Sequence, residues 1–178
     1  MIIALALFSG IAWTVVYVEA IRVGLRDQTY AMPVAALGLN FAWECIYTVH
    51  GVHGETAHVQ AVVNGVWACA DIGILYTYFR FARREFPLLP AALVHLWGVA
   101  MVGVGFVSQW LFMVKFGNAH NEAAAYSAFL QNALMSGLFI AMFVARGGSR
   151  GQTRTLAVAK WLGTLAPTIQ IGILYGDS

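Results

Sequence analysis

The sequence predicts an all-α integral membrane protein, a six-transmembrane-helix bundle with both termini on the outer side. Three observations carry this reading. The chain of 178 residues is 60% hydrophobic and only 10% charged, with a mean hydropathy of +0.72; a soluble domain carries about 25% charged residues. Six apolar segments follow one another, at about 2–20, 30–49, 59–80, 90–116, 122–145 and 156–175. Each reaches the ~20 residues that cross ~30 Å of hydrocarbon. The basic residues alternate between the loops that join them. No strand-like alternation or internal repeat is evident, and a helix satisfies its own backbone groups in lipid. Residues 1–178 read as a single transmembrane domain. The net charge of +2 gives no footprint for nucleic acid, so the expected partners are the bilayer and small lipophilic molecules.

The first segment starts at Met1 with no basic leader and no clear cleavage site, so it reads as a helix and not a signal peptide. Pro33, Pro87 and Pro90 stand at helix starts or in loops, where a missing amide donor is tolerated. The fourth segment is long for one crossing, which predicts a tilt or a kink near Gly103-Val104-Gly105. Gly147-Gly148-Ser149 marks a flexible loop, and Pro167 predicts a kink in the last segment. Arg22 and Arg26 lie in the first loop, Arg80, Arg83 and Arg84 in the third, and Arg146, Arg150 and Arg154 in the fifth, with Lys160 just beyond. The second loop and the C-terminus have none, and the fourth has only Lys115. The positive-inside rule places loops one, three and five in the cytoplasm.

Glu44 and Asp71 are the only acids deep in the apolar spans. A carboxylate there costs roughly 2.5–3.5 kcal/mol on insertion scales, so such residues are rarely idle. A carboxyl withdrawn from water holds its proton, which a general acid requires. A helix-to-helix hydrogen bond is the structural alternative for each. Asn40 lies one turn before Glu44 on the same face, with Trp43 beside it. Asn64, Trp67 and Asp71 share a face of the third helix, and Trp43 and Tyr47 one of the second. With Gln109, Tyr126, Gln131, Asn132 and Gln170 these groups fall between mid-membrane and the outer face, given a rise of about 1.5 Å per residue. This predicts a pocket lined by Asn40, Trp43, Tyr47, Asn64, Trp67, Gln109, Tyr126, Gln131 and Gln170. Aromatic faces there would stabilise a cation by ~0.5–2 kcal/mol each.

Other residues read as structural. His95 sits near the inner end of the fourth helix, away from the pocket. His50, His53 and His58 with Glu55 make a histidine-rich outer loop whose spacing fits no strong zinc pattern. Glu19 is placed to snorkel to water or to pair with Arg22. Cys45 and Cys69 read as small buried hydrophobes, with no disulfide or metal site expected. The only aspartates are Asp27, Asp71 and Asp177. An aspartate-rich magnesium-diphosphate motif is therefore excluded, and so is the paired-aspartate acid motif of soluble protonating cyclases. No P-loop, dinucleotide fingerprint or nucleophile elbow occurs, and no cofactor is expected.

Several stretches resemble a known family. They are Asn40-Phe41-Ala42-Trp43-Glu44, Trp67-Ala68-Cys69-Ala70-Asp71, Tyr126 to Asn132 followed by Ser136-Gly137-Leu138-Phe139, and Lys160-Trp161-Leu162-Gly163-Thr164. Their order is similar to that in the small integral-membrane terpene cyclases of fungal meroterpenoid and indole-diterpene pathways. Shorter bacterial relatives resemble the cyclases of drimentine-type indole sesquiterpenes. The resemblance spans the second to sixth helices. It implies a metal-independent reaction, in which an acid protonates a terminal alkene or epoxide, rings close through carbocations and a base removes the last proton. The family's acid in the asparagine–tryptophan–glutamate motif maps to Glu44. The second acid of the fungal members lies on a further C-terminal helix with no counterpart in these residues; Asp71 is the substitute candidate. The implied substrate is a prenylated lipophile, a farnesylated indole or diketopiperazine, and the implied location a bacterial cytoplasmic membrane. Two other classes stay open. A proton-coupled transporter would use the two acids as a relay and would predict repeated halves, which are absent. A lipophile-binding protein would use them structurally.

Overall fold

The structure is a computed structural model, and it describes residues 2–53, 58–117, 122–170 and Gly172. Six helices stand in the expected order: α1 Ile2–Asp27, α2 Val34–His53, α3 His58–Phe81, α4 Ala91–Phe116, α5 Glu122–Ala145 and α6 Arg154–Ile169. A short three-ten turn, Ala82–Arg84, follows α3. No strand occurs among the described residues. Helices α1, α3, α4 and α5 are long and apolar enough to cross a membrane. In α2 the polar residues Asn40 and Glu44 interrupt the apolar run, and the regular part of α6 is 16 residues. The fold is an all-α membrane bundle.

The helix ends differ from the sequence reading for local reasons. Helix α1 runs past its apolar stretch to Asp27 because its charged residues pair along it. Arg22 Nε donates to Glu19 at 2.7 Å, and Arg26 Nε to Asp27 at 2.6 Å. Glu19 also accepts from Thr153 Oγ1 at 2.7 Å and is 8% exposed, so it pairs inside the bundle and does not snorkel to water. Helix α2 starts only after Pro33, whose carbonyl accepts from the Leu37 amide. Helix α6 starts earlier, where Thr153 caps the Leu156 amide.

Helix α2 is the centre of the bundle and packs on α3, α4 and α5; α1 packs on α3 and α6. The α2–α4 crossing depends on two glycines. A Cβ on Gly105 would overlap the Gly38 carbonyl, and one on Gly38 would overlap the Met101 carbonyl. Small residues allow this close backbone approach without lipid-excluding side chains. Gly105 of the Gly103-Val104-Gly105 run therefore serves contact, and α4 continues through the run unbroken. Pro167 is likewise accommodated. It has no N–H for the Gly163 carbonyl one turn before, and Ser9 Oγ of α1 donates to that oxygen at 2.7 Å.

Arginines of the first and fifth loops gather at one end. Arg146 Nη1 donates to the Tyr30 carbonyl at 3.0 Å, and its guanidinium lies 4.3 Å from the Tyr30 ring centroid. Arg146 and Arg150 both reach Glu85, at 3.6 and 3.2 Å. The Gly151 amide donates to Asp27, and its φ of +73° suits glycine. Ends of α1, α3 and α5 are thus tied together on the side that the positive-inside rule makes cytoplasmic.

Gly105→Val should destabilise the bundle by about 1–3 kcal/mol, the usual cost of overpacking. Gly103→Val, where an added Cβ meets nothing within 4 Å, should not. Thermal unfolding in detergent separates the two; equal midpoints would refute the close-approach account.

Candidate active site

The polar centre is assembled from five helices. Asn40 and Glu44 lie a turn apart on α2, 5% and 1% exposed, and Asp71 on α3 is fully buried. The Asn40 Nδ2 atom has acceptors in three directions: Glu44 Oε1 at 2.9 Å, Asp71 Oδ2 at 3.0 Å and Tyr17 Oη of α1 at 2.8 Å. Two hydrogens serve three oxygens, so the bonds are shared. Because both carboxyls touch one nitrogen, their bonded oxygens are no more than about 6 Å apart. Tyr17 Oη donates to Glu44 Oε1. Glu44 Oε2 and Asp71 Oδ1 are buried and accept from no donor among the described residues.

Two amides extend the centre. Gln131 Nε2 of α5 donates to Asn40 Oδ1 at 3.3 Å, and Gln109 Nε2 of α4 donates to Gln131 Oε1 at 2.8 Å. The run from Gln109 through Gln131 to Asn40 therefore points every donor towards the carboxyls. Aligned bonds of this kind reinforce one another. They stabilise negative charge on the carboxyls without having to reorganise.

Of the residues expected here, Asn40, Glu44, Asp71, Gln109 and Gln131 come together. Trp67 is adjacent: its ring stacks on Tyr17 at 5.7 Å, and its Nε1 donates to Thr14 at 3.2 Å. Trp43 and Tyr47 pack on each other at 5.0 Å beside Met113 and Ala123, and Trp43 Nε1 donates to the Ala124 carbonyl. They form a neighbouring apolar cluster and make no bond to the acids. Asn64 is buried but accepts from Gln60, one turn earlier on its own helix. Tyr126 is 52% exposed and packs on Phe116. Gln170 ends α6 half-buried and takes no part in the hydrogen bonds of the centre. These last three take no part in the hydrogen bonds of the acid centre. Tyr17 was missed. Its only signal in the sequence is the Trp13–Tyr17 spacing on the first helix, which ordinary packing explains equally well.

The residues read as structural fall outside the centre. His95 is exposed, with Nε2 at 3.1 Å from the Phe79 carbonyl. His50 is exposed at the end of α2; Glu55 and the side chains of His53 and His58 lie outside the described residues. Both cysteines are free, but Cys69 is exposed and Cys45 half-buried, because α3 turns Cys69 outward. A groove of about 1090 Å³ opens at the basic end, lined by Arg26, Asp27, Arg150 and Arg154 among others. None of the acid-centre residues lines it.

The family comparison identifies the class to which this membrane bundle belongs. The profile of the Pyr4-like transmembrane terpene cyclases matches residues 1–175, and the chain belongs to that family. It is 32% identical over 170 residues to the terpene cyclase dpchB of Colletotrichum higginsianum, covering 95% of this chain and 69% of that one. It is 29% identical over 163 residues to the Pyr4-family terpene cyclase mfmH of Annulohypoxylon moriforme, covering 90% and 66%. To the terpene cyclase pyr4 of Aspergillus fumigatus it is 28% identical over 161 residues, covering 89% and 65%. The chain thus spans about two thirds of the length of these relatives. All three are fungal, which lends no support to the bacterial placement. No solved structure matches.

Asn40→Leu should lower stability by roughly 1–3 kcal/mol, since it leaves buried acceptors without their shared donor. The measurement is the unfolding midpoint in nanodiscs. An unchanged midpoint would mean that the carboxyls do not depend on Asn40.

Proposed function

We propose that this chain is a membrane terpene cyclase in which Glu44 is the proton donor. The observation that carries this is the asymmetry of its carboxyl. Oε1 is occupied by Tyr17 and Asn40, while Oε2 is buried and free of donors. A proton on Glu44 therefore belongs on Oε2, the oxygen that neither Tyr17 nor Asn40 occupies.

The step balances within the pair. Glu44 Oε2 gives its proton to the terminal alkene carbon or epoxide oxygen of a prenyl chain. The resulting cation is attacked by successive chain double bonds, closing rings. The last cation loses a C–H proton to Asp71, whose Oδ1 is likewise free. A proton transfer from Asp71 to Glu44 restores the pair, and the product is an isomer of the substrate. The donor run from Gln109 supports the glutamate anion while the cation exists. No diphosphate leaves, so the step needs no metal. Trp67, Trp43 and Tyr47 offer aromatic faces to the cation. The family membership and the relatives' description as terpene cyclases support this reading. A prenylated lipophile is the substrate class, with a farnesylated indole or diketopiperazine as the first compounds to try.

Glu44→Gln keeps shape and loses the acid. It should lower turnover at least about 10²-fold, the low end for general acid catalysis, with the unfolding midpoint retained. Membranes carrying wild type or variant are incubated with farnesylated compounds of alkene and epoxide type. Products are read as a chromatographic shift without mass change, and by NMR. Equal turnover by both proteins removes Glu44 from the donor role. No product from wild type with any of these substrates overturns the cyclase reading.

A further inference from the structure

Lys160 takes no part in the chemistry above. The sequence placed it just beyond the basic loop, but in the fold it is only 7% exposed. Its Nζ makes one hydrogen bond, to Ser136 Oγ of α5 at 2.8 Å, and lies 6.0 Å from the Trp13 ring centroid. An ammonium has three donors to place. Among the described residues no carboxylate pairs with it; every ion pair belongs to the basic end or to α1. A buried charge without a counter-charge costs several kcal/mol.

The surroundings also hold spare acceptors. Asn132, a turn before Ser136 on α5, keeps Oδ1 buried without a donor, and Thr164, a turn after Lys160 on α6, does the same with Oγ1. Lys160 and the Thr164 hydroxyl on α6 thus keep donors unspent, and Asn132 on α5 keeps an acceptor, outside the acid centre. The two places are linked by aromatic rings. Trp13 lies 6.2 Å from Tyr17, and Tyr17 donates to Glu44. Gly163 keeps α6 close against Trp13, since a Cβ there would come within 2.9 Å of the indole.

We propose that Lys160, with the Thr164 hydroxyl, binds the head group of the substrate, and that this head group carries an ionisable or strongly accepting oxygen, such as an enol, phenol or carboxylate. This rests on the cyclase reading. The head group supplies the counter-charge that Lys160 lacks, and the prenyl chain runs along Trp13 and Tyr17 towards Glu44. The separation of the two places then selects which chain carbon meets the acid. A neutral head group leaves the ammonium without a counter-charge.

The test uses the full chain in phosphatidylcholine nanodiscs and two head groups, a farnesylated phenolic acid and its fully O-methylated ester. Saturated-chain versions, which no acid can cyclise, are bound first and followed by tryptophan fluorescence. Unsaturated versions are then turned over. Wild type should bind the acidic head about tenfold tighter than the methylated one, the effect of one charge-assisted bond. Lys160→Met should bind both alike, Lys160→Arg should keep the preference, and Glu44→Gln should keep it too. If Lys160→Met does not fold, Lys160→Gln replaces it. Equal discrimination by wild type and Lys160→Met overturns the proposal. So does displacement of the acidic probe by phosphatidylglycerol together with absence of any substrate preference, which would make this a lipid phosphate site. Preference without turnover by wild type fails the cyclase reading and leaves the head-group site standing. Turnover without preference does the reverse.

Discussion

The bundle is organised around the need to satisfy two carboxyls in an apolar interior. One side chain does most of this. Asn40 Nδ2 lies within 3.0 Å of Glu44, Asp71 and Tyr17, and so ties α1, α2 and α3 at one point. Its own carbonyl accepts from Gln131, which extends the tie to α5 and, through Gln109, to α4. An unpaired polar group at this depth costs far more than a hydrogen bond contributes at the surface. Each helix that supplies a partner is therefore fixed in rotation as well as in depth. The glycine contact of α2 with α4 allows this, because it brings Gln109 close enough to join.

The same arrangement explains why a stabilising network leaves reactive atoms. The donors that reach the carboxyls, from Asn40 and Tyr17, go to Glu44 Oε1 and Asp71 Oδ2, while the second oxygen of each carboxyl stays open. A fully paired acid would be a structural strut. An acid paired on one oxygen only is held in place and still able to transfer a proton, which is the arrangement that general acid catalysis needs.

Much of this was legible in the sequence, and the failures share a cause. An acid in an apolar span is conspicuous, and the Asn40–Glu44 spacing puts both on one face by helix geometry alone. Hydropathy marked six segments, the alternation of arginines supported that count, and six helices stand in that order. Depth could be estimated from distance along each helix, but rotation about the helix axis could not. Asn64 and Tyr126 meet Gln60 and Phe116 instead of the acid centre. Tyr17 was hidden for the opposite reason: a tyrosine among aromatics is ordinary packing until a partner 27 residues away is known. Lys160 was grouped with the loop arginines because its exposure depends on how α5 and α6 meet.

The central claim is that Glu44 carries the transferable proton. Infrared difference spectroscopy of wild type and Glu44→Gln in nanodiscs at neutral pH, in light and heavy water, tests it without any substrate. The account predicts that the variant loses one protonated-carboxyl C=O band that shifts with deuterium in the wild type. A difference spectrum showing only loss of an ionised carboxylate would contradict it, because Glu44 would then have no proton to give.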